Sequence, residues 1–407
     1  MRRFHVPNYS RKFNERGVWY ISENNSIDIN DAELGWSGVI DLFNPRKSKL
    51  AIMLIFIPFA IYFNIFAHNA PLAFITSIVA IMPLAYFMGV ATEQISLRTN
   101  ESIAGLLNAT FGNAAEMIIA ILAVFAASSA IKSGDSDTAS TMIQVVQASL
   151  IGSILGNLLL VLGLAFVWGG IHHKVQSFSS GQMGANASLL LLAVIALILP
   201  AAYQYTGNGH EEAIITLSRL TSIVLLAMYG LFLVFQFRTH TDLFATDGHH
   251  HDEPPIMGQR QAAILLIGAT VMVAWMAEIM IHSIESAADE WGLPTLFIGV
   301  ILLPLFGNAA EHFTAVHVAG KDKMDLAFSI AVGSSTQIAV LVAPAMVIIA
   351  WLIEVPLTFQ FGLFETVATF LAVLITNTIA ADGKSNWLEG ALLLATYTIL
   401  AMAFFLY

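Results

Sequence analysis

The sequence predicts an all-α membrane protein of 11 transmembrane helices, in which span 1 precedes two inverted five-helix repeats, spans 2–6 and 7–11. Three observations carry this expectation. The 407 residues are 57% hydrophobic and only 11% charged, with a mean hydropathy of +0.75, whereas soluble domains carry about 25% charged residues. Eleven stretches are apolar over the roughly 20 residues a spanning helix needs. A hexapeptide, FGNAAE, occurs twice in apolar surroundings, at Phe111–Glu116 and Phe306–Glu311.

Residues 1–49 are polar and basic, read as a cytoplasmic tail, and Asp31–Phe43 (DAELGWSGVIDLF) reads as an interfacial helix. It places Trp36, Ile40 and Phe43 on one side and is followed by Arg46, Lys47 and Lys49. No cleavable signal peptide is expected, because the first apolar run begins only near Leu50. Span 1 occupies 50–67. The first repeat covers 71–237, with spans near 71–92, 102–127, 143–168, 187–203 and 217–237. A linker at 238–259 carries HHHDE (His249–Glu253), read as a solvated cytoplasmic loop. The second repeat covers 260–407, with spans near 260–283, 293–318, 325–352, 362–380 and 387–407. Pro83, Gly152, Gly156, Pro304, Gly333 and Pro344 fall inside spans, as they do in tilted or interrupted helices.

Lysine and arginine collect on cytoplasmic loops, which tests the partition. With the amino terminus cytoplasmic, only Lys132 and Arg219 of the 17 basic residues fall on the far side. The carboxyl terminus then faces away from the cytoplasm. The repeats follow from internal matches. FGNAAE lies in the second span of each set, and a GS pair lies in the third, at Gly152-Ser153 and Gly333-Ser334. Five is odd, so the second set enters the membrane from the opposite side, the inverted plan that puts a site near the bilayer midplane.

That plan explains the glutamates. An ionised carboxylate at the bilayer centre costs about 2.5–3.5 kcal/mol on the insertion scale and persists where function uses it. No Lys or Arg lies in the core of any span, so Glu116 and Glu311 converge without a structural counter-ion. Two dehydrated carboxylates repel each other, and each needs a proton or a shared cation. A divalent cation and two protons are therefore competing solutions, which is the chemistry of an exchanger. The neighbours are oxygen donors: carbonyls freed at Gly112 and Gly307, the amides of Asn113 and Asn308, then Gln147, Ser149, Ser153 and Asn157 in the first half and Ser334 and Gln337 in the second. Calcium takes 6–8 such ligands, whereas zinc or copper favours His or Cys. For the serines, tight helix packing is an equally good explanation. Glu93 and Glu278 form a looser pair, expected to attract cations at opposite mouths.

Zero cysteines exclude disulfides, thiolate metal sites and Cys nucleophiles. The net charge of -11 offers no basic face for nucleic acid, and neither paired intramembrane histidines nor a G-x-G-D pattern marks a hydrolase. No enzyme activity and no cofactor are expected. A cation channel or a sodium-driven calcium exchanger would use similar oxygens.

The motifs ATEQ, AGLLNATFGNAAE (Ala104–Glu116), VQASLIGSILGNLLLVLGL, GNAAEH, KDKMDLA and GSSTQIA resemble those of the calcium/proton exchangers of the calcium/cation antiporter superfamily, and the fungal vacuolar members in particular. The resemblance implies a multi-pass vacuolar membrane protein that takes up calcium against protons, with Glu116 and Glu311 as the exchanging pair and span 1 outside the repeats. Transported Ca²⁺ and H⁺ are the expected partners besides the bilayer, with Mn²⁺ left open by the oxygen ligands. A cytoplasmic acidic helix found in some relatives is poorly matched by Thr241–Pro255. For an assumed gradient of about two pH units, each proton supplies about 2.7 kcal/mol, while a roughly thousandfold calcium gradient costs about 4.1 kcal/mol. At least two protons are then needed. The two carboxylates can carry them, and His312, beside Glu311, is the candidate for a third.

Overall fold

The computed structural model describes residues 9–13, 19–23, 36–99, 101–205, 211–241 and 255–407. The HHHDE cluster and the start of the expected interfacial helix, through Gly35, lie outside the described residues. The leader contains a feature its polar composition did not suggest, an antiparallel ribbon of β1 (Tyr9–Phe13) and β2 (Trp19–Glu23).

The interfacial helix is observed as α1, Ser37–Phe43. Gly38, Val39 and Leu42 face inward, while Trp36, Ile40 and Phe43 are 49%, 64% and 48% exposed. The apolar helix α2 (Lys49–Ile65) follows, opening with a 3-10 turn.

Nine helices among the described residues are long and apolar enough to cross a bilayer. They are α3 (Ala70–Ser96), α5 (Ala114–Ser133), α6 (Ser136–His172), α7 (Ser180–Tyr205), α8 (Glu211–Thr239), α9 (Gln259–Trp291), α12 (Met324–Leu352), α13 (Leu363–Ala380) and α14 (Trp387–Leu406). A tenth apolar passage is split into α10 (Thr295–Gly307) and α11 (Ala309–Ala319), bent by 58°. The third expected span is also split, into α4 (Glu101–Gly112) and α5. The two expected spans that carry FGNAAE are thus broken rods rather than continuous helices.

Local chemistry fixes the ends. Asn69 caps α3 through Leu72 N at 2.9 Å, with Pro71 in the first turn, and proline there costs no hydrogen bond. α5 stops at Gly134 (φ 79), and Asp135 caps α6 through Thr138 N at 3.1 Å. Asn386 and Glu389 form a capping box that starts α14. The expected limits 127 and 143 miss the end of α5 and the start of α6 by several residues because hydropathy does not register caps, whereas α3 and α14 start within one residue of the expected 71 and 387.

Helices α3 and α9 lie antiparallel along their length. Phe74 meets Trp291 at 5.9 Å between ring centroids at one end, and Arg98 Nη2 donates to the Met257 carbonyl at 2.6 Å near the other. Helix α6 crosses α10 so closely that a side chain on Gly152 would strike the Val300 carbonyl. α6 and α12 each loosen into a π turn, at Gly156–Val161 and Ile338–Val342, a few residues after the two GS pairs. Such turns leave backbone groups less tightly used and are frequent at functional sites.

Candidate cation site between the broken helices

Each FGNAAE motif straddles a helix break. The chain leaves the helical region at Asn113 (φ -102, ψ 23) and at Asn308 (φ -94, ψ 7), and restarts so that Glu116 and Glu311 fall in the first turn of α5 and α11. The sequence does this because Gly112 and Gly307 end the preceding helices without resisting the bend. A helix start carries partial positive charge, which favours an acidic side chain there.

The two carboxylates are brought to one region. Glu311 lies close enough to Glu116 for the two carboxylates to repel each other, with Ser334 nearby. A Cβ on Gly112 would stand 3.9 Å from Glu311 Oε1. Both glutamates keep partial exposure, yet the Oε2 of each is buried without a hydrogen-bond donor. Asn308 Oδ1 and Nδ2 and Asn157 Oδ1 are likewise buried and unpartnered. Buried polar atoms normally have partners, so this many bare oxygens around two carboxylates is a donor set suited to a hard cation.

The surroundings divide into two sides. On one, Asn157 Nδ2 donates to Ser334 Oγ (3.1 Å), Ser334 Oγ donates to Asn113 Oδ1 (2.7 Å), and Asn113 Nδ2 donates to Gln337 Oε1 (2.7 Å). This chain of bonds alternates between the two halves of the sequence. On the other side, Glu116, Ser149, Ser153, Gly307 and Asn308 line a cavity of about 20 Å³ walled by Ile119, Leu150, Leu303 and Pro304, room for one water or one bare ion.

The structure thus gathers Glu116, Glu311, Asn113, Asn308, Gly112, Gly307, Ser153, Ser334 and Gln337. Gln147 is used elsewhere: its Nε2 donates to the carbonyls of Thr358 (2.9 Å) and Gln360 (3.3 Å), tethering the loop before α13. Glu93, in the last turn of α3, and Glu278, along α9, are exposed and outside the site. His312 is buried with Nε2 unpartnered but does not line the cavity. Asn157, only one of several donors in the sequence, joins the bonded chain; its place right after the Gly152–Gly156 stretch was the available signal. Glu365, which hydropathy places near a span end and to which the sequence assigns no role, has its Oε2 buried at the start of α13.

The pattern of the sodium/calcium exchanger proteins matches residues 69–238 and 261–406. The chain belongs to that family. It is 45% identical over 368 residues to a "Ca(2+)/H(+) antiporter" of Aphanothece halophytica, covering 87% of this chain and 95% of the relative. It is 38% identical over 366 residues to the "Vacuolar calcium ion transporter" of Schizosaccharomyces pombe, covering 89% and 85%. Among solved structures, native YfkE superposes with a TM-score of 0.74 at 37% identity, covering 88% of this chain and all of that one. An H⁺/Ca²⁺ exchanger, CAX, superposes at 0.66 with 14% identity, which is likeness of fold alone. The resemblance read from the motifs holds.

Proposed function

We propose that this family member is a calcium/proton antiporter that moves Ca²⁺ from the cytoplasm into an acidic lumen by alternating access. Its names among relatives point the same way: the proteins of Aphanothece halophytica and Synechocystis are called Ca²⁺/H⁺ antiporters, and those of fission yeast, Arabidopsis and rice are called vacuolar calcium transporters or cation/proton exchangers. The single observation that carries the reading is the pair Glu116 and Glu311, each opening a half-helix, each with a buried oxygen that lacks a donor. Bare carboxylate oxygens at that depth are stable only with a cation or with protons.

In the proposed cycle, the site meets near-neutral cytoplasm with both carboxylates ionised, and they bind calcium with help from the side-chain oxygens of Asn308 and Ser153 and the carbonyls freed at Gly112 and Gly307, while Asn113 and Ser334 brace the opposite wall. On exposure to the acidic side, protons take the carboxylates and calcium leaves. The protonated pair is neutral, so the return crosses the membrane without carrying charge. Two protons per Ca²⁺ make the exchange electroneutral and free of the membrane-potential term of about 2.3 kcal/mol per charge per 100 mV. Eleven spans follow if α2, the nine long helices and the bent pair each cross once. They comprise span 1 and two inverted five-helix repeats, with the amino terminus cytoplasmic and the carboxyl terminus lumenal. The vacuolar membrane is the proposed location, by analogy with the fungal and plant relatives; Mn²⁺ is the alternative cargo.

Uptake into proteoliposomes under an imposed pH gradient tests this. Wild type takes up calcium only when the gradient is present, and Glu311→Gln does not. Uptake that follows a sodium gradient at fixed pH, as the family's name invites, would replace the proton reading with a sodium-driven one.

A further inference from the structure

Helix α1 is an amphipathic helix with one face taken and one face bare. Its inner face is held by Gly38, which lies so close to the Ile256 carbonyl that any side chain there would collide with it. Ile256 N in turn donates to Gln94 Oε1 (2.9 Å), and Arg98 bridges the Gln94 carbonyl (2.5 Å) and the Met257 carbonyl (2.6 Å). Met257 is fully buried. The short segment that leads into α9 is therefore clasped between α1 and the end of α3. The outer face is apolar: Trp36, Ile40 and Phe43 project from the protein at i, i+4 and i+7.

Chain geometry says what covers that face. Only residues 44–48 separate α1 from α2, a reach of roughly 17 Å at full extension, so α1 cannot stand far from the bilayer surface that α2 enters. The start of α2 continues the bare surface with Ile52 and Ile55. Between them lie Arg46, Lys47 and Lys49, all exposed. Lys47 is neutralised by Asp41 at 2.6 Å, the only ion pair among the described residues, which leaves the charges of Arg46 and Lys49 without an acidic partner. An apolar face flanked by free cations at the membrane boundary fits anionic phospholipid headgroups above acyl chains.

We propose that α1 docks on anionic phospholipid in the bilayer and, through Gly38, holds the segment Ile256–Met257 against α3, so that the lipid composition of the leaflet reaches the α3–α9 pair. Basic residues near the surface are each worth about 1 kcal/mol toward anionic lipid. Removing both free cations then weakens the preference roughly thirtyfold.

The chain has no cysteine, so Ile40→Cys gives a single labelling site in the full-length protein. A nitroxide label there, in phosphatidylcholine vesicles with added phosphatidylserine, is expected to be shielded from a water-soluble relaxation agent and exposed to oxygen from the lipid. Retention of fluorescent phosphatidylserine through detergent exchange is expected to fall roughly thirtyfold in Arg46→Gln/Lys49→Gln, a change that leaves the packing of α1 intact. Hydrogen exchange at the amides of Ile256, Met257 and Gly258 is expected to rise in Gly38→Ala and to lose its response to phosphatidylserine. A label at position 40 open to water, or phosphatidylserine retained equally by the double variant, would overturn lipid docking. Unchanged exchange at these three amides in Gly38→Ala would overturn the clasp. None of these readouts depends on transport.

Discussion

The two FGNAAE copies are identical, and their asparagines live in opposite surroundings. Asn113 has both polar atoms occupied, by Ser334 and Gln337 of the second half. Asn308 has neither occupied and faces the cavity that Glu116 and Ser153 also line. The cause lies in the helices opposite. Three residues beyond the serine of each GS pair stands Gln337 in the second half but Gly156 in the first. A glutamine can hold an asparagine amide, and a glycine cannot. A repeat that is symmetric in its charged residues is therefore asymmetric in its neutral donors, with one side stiffened by bonds between the halves and the other left with oxygens free for an ion.

This contrast can be broken experimentally. The largest effect is expected from Asn308→Ala, which removes a free oxygen and disturbs no hydrogen bond. The half-saturating calcium concentration for uptake should rise several-fold while the thermal unfolding temperature in detergent stays put. Asn113→Ala should behave the other way round. It strands the Ser334 hydroxyl and the Gln337 carbonyl, so stability falls by roughly 1–3 kcal/mol, read as a lower unfolding temperature. If the two variants shift affinity and stability alike, the two sides are equivalent and the contrast is wrong. The smallest effect belongs to Gln147→Ala. Loss of its bonds to Thr358 and Gln360 should cost about 1 kcal/mol of stability, with calcium affinity unchanged in a binding titration. A clear affinity loss would return Gln147 to the ligand set.

Much of this was legible before any coordinates. FGNAAE marked where the carboxylates sit and where Gly112 and Gly307 loosen the backbone, but not that both spans break there, because hydropathy runs on unchanged across the Asn113 and Asn308 turns. The charge pattern and hydropathy placed every long helix, since burial in lipid depends on composition more than on detail. The ends on either side of Gly134 were less legible, because a left-handed glycine and the single capping bond of Asp135 leave no hydropathic trace. The site was legible in its carboxylates and less so in its amides. Gln147 and Gln337 are the same residue type on corresponding helices, and only packing shows that one tethers a loop while the other secures Asn113. Glu93 and Glu278 stand apart from this site as exposed side chains, as a place at its mouths requires.

The measurement that bears most directly on the central claim is the number of protons released when calcium binds, obtained by calorimetry of the purified protein in buffers of different ionisation enthalpy. If Glu116 and Glu311 form one site that holds either calcium or protons, release should approach about two per calcium on the acidic side of the titration. It should fall by about one in Glu311→Gln wherever binding remains measurable. Calcium binding with no proton release at any pH, or release unaltered by that substitution, would contradict it.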